Sequence, residues 1–374
     1  MRILFAGGGT AGHINPALAI AGYIREKDKN AEILFVGNRG GMEEKLVPKA
    51  GFNMEFITIS GFRRSLTPAA VKQNVLTVKR TFSSSKESRK IIEQFKPDIC
   101  VGTGGYVSGP VLRTAAKMGI PTIIHEQNAY PGVTNKMLGK NAKKVMLAVK
   151  DAEKYFDKNC SFAVTGNPVR REIIAADKDS ARKELGLDER PVVLSFGGSL
   201  GARKINEGVA GLIARSGKDR KYQHIHGYGK NGLWFPDYIK DRGVDVRTCP
   251  NLDVREYIDN MATCMAAADL VISRAGAITL SEIQALGKPS ILIPSPNVAE
   301  NHQFHNAMAL VNNKAAEIIE EKDLTEELLI EKADSLLQNP EKLREYTDNA
   351  RKMAIIDANE RIYSIIKKIT GAIG

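Results

Sequence analysis

The chain has 374 residues, 43% hydrophobic and 26% charged, and its 54 Lys and Arg against 43 Asp and Glu leave a net charge of +11. That length accommodates two domains with separate cores, and the basic balance favours an anionic partner: nucleic acid, a phosphorylated substrate or an acidic membrane surface. The cysteines, Cys100, Cys160, Cys249 and Cys264, form no CxxC pair, which argues against a zinc centre or a disulfide framework. No stretch reaches the ~18 uninterrupted apolar residues of a spanning helix.

The N-terminus lacks a basic n-region and a long apolar core, so no export signal is expected. Arg2 to Ala6 is predicted as a strand, Gly7 to His13 (GGGTAGH) as a tight loop, the run from Pro16 as a helix, and Ile33 to Gly37 as a second strand. Glycines let the loop backbone approach a bulky or anionic group. The spacing is not GxGxxG, and Gly37-Asn38 stands where a dinucleotide site would carry an acid, which weakens that reading. His13 has two readings: a ring that braces the turn, or a general base, since imidazole titrates near neutrality.

Past Arg63-Arg64, the residues Val71, Val75, Val78 and Phe82 keep helical spacing, with Lys72, Lys79, Arg80, Lys86 and Arg89 interleaved. This suits a core-facing helix with a solvated face, or a basic, partly apolar surface that rests on anionic lipid. Pro97 to Val101 is predicted as a strand, Gly102 to Pro110 (GTGGYVSGP) as a second glycine loop, and Ile120 to His125 as a strand ending in Glu126-Gln127-Asn128. His13, Tyr106, His125, Glu126 and Asn128 thus crowd one sheet's carboxyl edge, where ligands of open α/β sheets bind.

The second half repeats the pattern. Phe162 to Thr165 is a short strand, Gly166 to Arg170 a linker, and Val192 to Phe196 a strand followed by a third glycine loop, Gly197 to Ala202. No GK[ST] follows, so this is not a P-loop, although small residues and Ser199 at a helix start suit phosphate oxygens. Tyr222 to His226 and Val244 to Arg247 look like further strands. In Ala268 to Pro296, two apolar strands flank a helix predicted over Thr279 to Leu286, stopped by Gly287. Gly276 marks the strand-to-helix turn, and Glu282, a turn in, could accept hydrogen bonds from two ribose hydroxyls. Residues 300–306 form a polar run feeding a helix, and 341–373 are helical in pattern. No metal-ligand set, DxD pair or nucleophile elbow is visible, so neither cofactor nor metal is expected. The reading is α/β, two doubly wound domains, suited to group transfer from an activated sugar nucleotide.

Five segments carry a specific resemblance: GGGTAGHINPALAIA (7–21), GTGGYVSGP (102–110) with IIHEQNAYPGVTNK (123–136), TGNPVR (165–170), FGGSLGA (196–202) and RAGAITLSEIQALGKPSILIP (274–294). Together, in order and across the chain, they resemble the MurG family, UDP-N-acetylglucosamine transferases of peptidoglycan synthesis. The resemblance implies a GT-B fold, two Rossmann-like doubly wound domains facing a deep cleft. Residues 1–164 would form an acceptor and membrane-facing domain and 165–354 a UDP-N-acetylglucosamine-binding domain, with a helix at about 355–374 packing back on the first.

It also implies inverting transfer to the muramic acid 4-hydroxyl of undecaprenyl-diphosphate-linked muramyl pentapeptide (lipid I), giving lipid II. Donor contacts fall on Thr10, Ala11, Gly12, Asn128, Arg170, Ser199, Ile258, the run Ala277, Ile278, Thr279, Leu280, Ser281 and Glu282, and Gln303. Of these, Glu282 would bind ribose, Ile258 would meet uracil through its backbone, Ser199 the diphosphate, and Gln303 the sugar. His13 is the implied base, and Gly104, Gly105, Tyr106, His125 and Glu126 would line the acceptor side. The implied location is peripheral, on the cytoplasmic face of the cell membrane, with anionic lipid and other cell-wall synthesis proteins as further partners and a part in cell shape and division.

Two departures stand out: Ala11 where the family usually has glycine, and His302 where many members have glutamine. Two other classes share the architecture. A non-hydrolysing UDP-N-acetylglucosamine 2-epimerase needs a fuller acid/base set than His13 supplies, and a non-catalytic nucleotide-sugar-binding subunit would lack the acceptor-side groups.

Overall fold

The apolar runs with no polar face become the central strands of two parallel sheets, as two-sided burial requires. The computed structural model describes residues 1–59 and 83–371, which divide into two units, Met1–Pro168 with Asp357–Gly374, and Val169–Ile356. Unit 1 runs β1 (Arg2–Gly7), α1 (Ala11–Lys27), β2 (Glu32–Asn38), α2 (Glu43–Lys49), β3 (Asn53–Ile57), a helical run over 83–95 (α3) and β4 (Ile99–Gly104). It continues with α4 (Ser108–Lys117), β5 (Thr122–Glu126), α5 (Val133–Gly139), β6 (Lys144–Leu147) and β7 (Phe162–Val164). Among the described residues its strands are parallel, in the order β3-β2-β1-β4-β5-β6-β7. The expected basic helix from Val71 to Phe82, with Arg63 and Arg64, lies outside the described residues. Of its continuation, Arg89 on α3 pairs with Glu93 at 3.4 Å.

Unit 2 begins with the short helices α6 (Arg171–Ile174) and α7 (Lys178–Glu184), then β8 (Val192–Phe196), α8 (Arg203–Asp219), β9 (Gln223–Gly227), α9 (Phe235–Lys240) and β10 (Leu252–Arg255). Next come α10 (Met261–Ala267), β11 (Leu270–Ser273), α11 (Ala277–Leu286), β12 (Ser290–Leu292), α12 (His302–Val311), β13 (Ala316–Ile318), α13 (Glu326–Leu337) and α14 (Pro340–Met353). Its sheet is also parallel, in the order β10-β9-β8-β11-β12-β13. The helices start where the chain supplies caps: Thr325 accepts from Leu328 N–H before α13, and Asn339 accepts from Lys342 N–H before α14, which opens on Pro340.

The helical tail is two helices. The second, α15 (Ala358–Thr370), belongs to unit 1: Ile362 and Ile366 are buried with Ile14, Ile20 and Ile24 of α1, and the Tyr363 ring meets Tyr23 at 6.0 Å. One expected strand is absent. Val244 to Arg247 turns, because Asp245 accepts the Arg247 N–H at 3.1 Å and pairs with its guanidinium at 3.0 Å, while Val244 is buried against α8. The strand beside β9 is β10 instead.

Burial leaves an unusual polar feature inside unit 2. Ser195 Oγ on β8 lies 2.7 Å from His224 Nε2 and 2.8 Å from His226 Nδ1, both on β9 and both fully buried. Burial holds His224 well below the ordinary imidazole value, assisted by His226, and holds His226 down at about 3. In unit 1, burial brings His125 down to about 4. With folded values depressed, the unfolded chain takes protons first as pH falls below about 6.5. Each histidine then costs about 1.4 kcal/mol of stability per pH unit, present above that point and lost below it. Glu282 of unit 2, raised by burial, works in the opposite sense. Thermal unfolding at pH 5 is therefore expected roughly 10 °C below that at pH 7.5; coincident curves would refute the neutral buried histidines.

Candidate functional site

Each sheet reverses its winding once, between β1 and β4 in unit 1 and between β8 and β11 in unit 2. Loops leaving those strands diverge, so a ligand can sit at the carboxyl edge between them. All the glycine-rich segments singled out above leave one of these four strands.

In unit 1 the loop after β1 enters α1 through Thr10, an exposed N-cap in extended backbone. Ala11 is the first helical residue, so alanine fits there without strain, and Gly12 follows, exposed. Pro16 within α1 has no N–H, so the Gly12 carbonyl loses its helical donor and the first turn is left open. His13, half-buried, is anchored by its backbone: its N–H reaches Thr10 O at 3.1 Å, and its carbonyl accepts from Thr103 Oγ1 at 2.8 Å. Of its ring, Nδ1 is buried and bonds to nothing among the described residues.

The loop after β4 presses on that ring. Gly104 has φ of 106°, and a Cβ there would lie 2.7 Å from His13 Nδ1; Gly105 has φ of 80°, and its Cβ would meet Gly8 O at 2.2 Å. Only glycine permits both the backbone conformation and the approach. Tyr106, at 56% exposure, stands out from the same loop. His13, Gly104 and Gly105 are thus brought together, with Tyr106 beside them in sequence.

His125 and Glu126, expected to line the acceptor side, are placed differently: they are 0% and 1% exposed. The Gly166 carbonyl can only accept, so His125 donates through Nε2 at 2.9 Å and its Nδ1 faces Gln127 Nε2 at 3.1 Å. Glu126 accepts from Asn128 N–H, Asn128 Nδ2, Gly132 N–H and Asn135 Nδ2 at 2.8–3.1 Å. Both therefore shape the loop that presents Asn128, because unpaired donors in a buried loop recruit the nearest acceptor. Gln127 and Asn135, amides that no sequence pattern marks out, complete this network.

In unit 2 the loop after β8 exposes Ser199 and leads into α8. The first turn of this 17-residue helix holds no acid and no side-chain cap but contains Arg203 and Lys204, an electrostatic setting for phosphate. After β11, Gly276 caps α11, whose first turn (Ala277 to Leu280) also lacks an acid; Ser281 Oγ turns back to Ala277 O at 3.1 Å. The helix starts two residues earlier than the sequence pattern implied.

Glu282, 6% exposed, accepts from Arg170 Nε at 2.9 Å, so two expected donor contacts that lie 112 positions apart meet one another. Burial raises the Glu282 carboxyl above its ordinary value, and Arg170 opposes that rise. Ile258 is 4% exposed in the core after β10, which leaves only its backbone to meet a ligand. Gln303, in the first turn of α12, accepts the Ser295 N–H at 2.9 Å through Oε1, which leaves its amide nitrogen as a donor. Among the described residues no cluster of His, Cys, Asp and Glu has the makings of a metal site.

Comparison with known proteins decides the family. The glycosyltransferase family 28 N-terminal domain matches residues 3–147, and the family 28 C-terminal domain matches 192–368. The UDP-N-acetylglucosamine–N-acetylmuramyl-(pentapeptide) pyrophosphoryl-undecaprenol N-acetylglucosamine transferase of Acetivibrio thermocellus is 47% identical, covering 99% of this chain and 98% of its own. The chain belongs to this transferase family. The transferase of the same name from Lactococcus lactis subsp. cremoris (strain MG1363) is 39% identical over 99% of the chain and all of its own. The crystal structure of Acinetobacter baumannii MurG superposes with a TM-score of 0.78 at 27% identity, covering 98% of this chain and 99% of that one. The fold is accordingly GT-B, with the two parallel-sheet Rossmann-like units corresponding to the two family 28 domains. A UDP-GlcNAc 2-epimerase from Neisseria meningitidis, at TM-score 0.68 and 14% identity over 98% of this chain and 100% of that one, shares the fold alone.

Proposed function

We propose that this chain transfers N-acetylglucosamine from UDP-N-acetylglucosamine to the 4-hydroxyl of N-acetylmuramic acid in lipid I, producing lipid II for peptidoglycan. The observation that carries this reading is the full-length likeness, at 47% identity, to a transferase named for that donor group and acceptor.

In this proposal unit 2 holds the donor. Glu282 accepts from the ribose hydroxyls, the start of α8 with Ser199 takes the diphosphate, and Gln303 donates to the sugar. Unit 1 carries Asn128, Thr10 and the acceptor-side groups around His13. The acceptor oxygen forms its bond to the anomeric carbon as the bond from that carbon to the diphosphate oxygen breaks. The electron pair leaves with UDP, whose growing charge is met by helix-start amides, and the acceptor proton passes to His13. Attack from the face opposite the leaving group inverts the configuration, giving a β-1,4 link.

The test is label transfer from UDP-N-acetylglucosamine to a short-chain lipid I analogue with EDTA present, with lipid-linked disaccharide as the expected product. Interconversion to the 2-epimer would replace this reading by the epimerase one, and tight donor binding with neither reaction by a binding subunit.

We further propose that the protein acts at the cytoplasmic face of the cell membrane, in cell-wall growth and division, and docks through basic residues within 71–89. Among the described residues no helix is long and apolar enough to cross a membrane. Replacing Lys79 and Arg80 by glutamate should weaken binding to anionic vesicles about tenfold or more, at ~1 kcal/mol per basic residue, with turnover on a soluble acceptor unchanged. Unaltered vesicle binding would move the docking face elsewhere.

A further inference from the structure

Glu43 opens α2, a position where an acid is usually solvated and merely complements the helix dipole, yet it is 1% exposed. Its two oxygens are divided between two strands. Oε2 accepts the Gly9 N–H at 3.0 Å from the loop after β1, and Oε1 accepts the Asn38 N–H at 3.0 Å from the end of β2. The chain has cleared space for this carboxylate from three sides. A Cβ on Gly8 would lie 2.3 Å from Oε1 and one on Gly41 2.5 Å from Cδ, while one on Gly37 would meet Met54 Cε at 2.0 Å and Glu43 Cγ at 2.6 Å. A side chain on Gly8 or Gly41 would push the carboxylate off its amides.

We propose that Glu43 is a positioning residue for the transfer: an internal carboxylate that seats the first glycine loop, and with it His13, against the loop after β4. This rests on the transferase reading above. It also changes the role of the first loop. A glycine-rich turn ahead of a helix looks built for a phosphate, but here the acceptor for the Gly9 amide is part of the protein, so the loop is free to serve as a rigid mount. The approach of Gly105 to Gly8 and of Gly104 to His13 depends on that mount, because a displaced Gly8–Gly9 segment would carry the His13 backbone with it.

The experiment compares wild type with Glu43→Gln and Glu43→Ala in the transfer assay, with amide hydrogen exchange measured on the same samples. In Glu43→Gln the amide group must turn one N–H toward a backbone N–H. Its kcat is expected to fall about 10–100-fold, while the KM for UDP-N-acetylglucosamine, most of whose expected contacts lie in unit 2, changes much less. Exchange should rise in peptides spanning 7–13 and 37–41 and stay level in the rest of unit 1. In Glu43→Ala, sodium formate should restore part of kcat by supplying the missing carboxylate, and sodium chloride at equal ionic strength should not. Unchanged kcat with unchanged exchange would overturn the proposal. So would a uniform rise in exchange across unit 1 without formate rescue, the mark of a residue that only stabilises the fold. Wild type without transfer activity would instead remove the transferase reading, whereas wild-type activity with an indifferent Glu43→Gln removes only this one.

Discussion

Replacing His13 by alanine is expected to lower kcat by about 10²-fold or more, with a much smaller change in the KM for UDP-N-acetylglucosamine. The His13 backbone is held by Thr10 and Thr103, so the first turn of α1 does not rely on the ring, and Nδ1 makes no hydrogen bond among the described residues. Removing the imidazole should therefore leave the loop folded. Thermal unfolding of the variant should stay close to wild type, which separates lost chemistry from lost structure. A reduction of only a few-fold would return His13 to a structural part and require another proton acceptor.

The second large effect is expected at Glu282. Glu282→Ala should raise the KM for UDP-N-acetylglucosamine about 10–100-fold, because a buried polar contact contributes ~1–3 kcal/mol and each 1.4 kcal/mol is a factor of ten. The pair with Arg170 gives this prediction internal structure. Arg170 is 45% exposed on its side chain and can turn to water when its partner is removed, whereas Glu282 at 8% cannot. Arg170→Ala should consequently destabilise unit 2 more than Glu282→Ala does, by leaving a carboxylate buried without its cation. The two changes together should cost less than their sum. Donor affinity unchanged in Glu282→Ala would remove the nucleotide pocket from the start of α11.

Much of the fold is legible in the chain because β1, β4, β8 and β11 are buried on both faces, so each appears as an apolar run bounded by glycine. The glycine loops after them are legible for the same reason. Val244 to Arg247 reads as a strand because its apolar residues alternate, and nothing local reveals that Asp245 will close a turn on Arg247. At the end of β5 the residue types are plain but not their direction. The sequence puts His125 and Glu126 at a carboxyl edge, and only the donors of the following loop and Gly166 draw them inward. Glu43 is harder still. An acid at a helix start is an ordinary surface feature, and its burial arises from Gly8, 35 positions earlier, coming to rest against it. The resemblance implies donor contacts at both Arg170 and Glu282, but nothing in it reveals that the two side chains pair across 112 positions.

The return of α15 to unit 1 sets an order on biogenesis. A ribosome releases residues 169–356 in full while unit 1 still lacks its last helix, and the face of α1 that packs on Ile362 and Ile366 must wait uncovered in the meantime. The first domain to be made is thus the second to be finished, and until the final residues emerge its apolar α1 face is open to chaperones or to a neighbouring nascent chain.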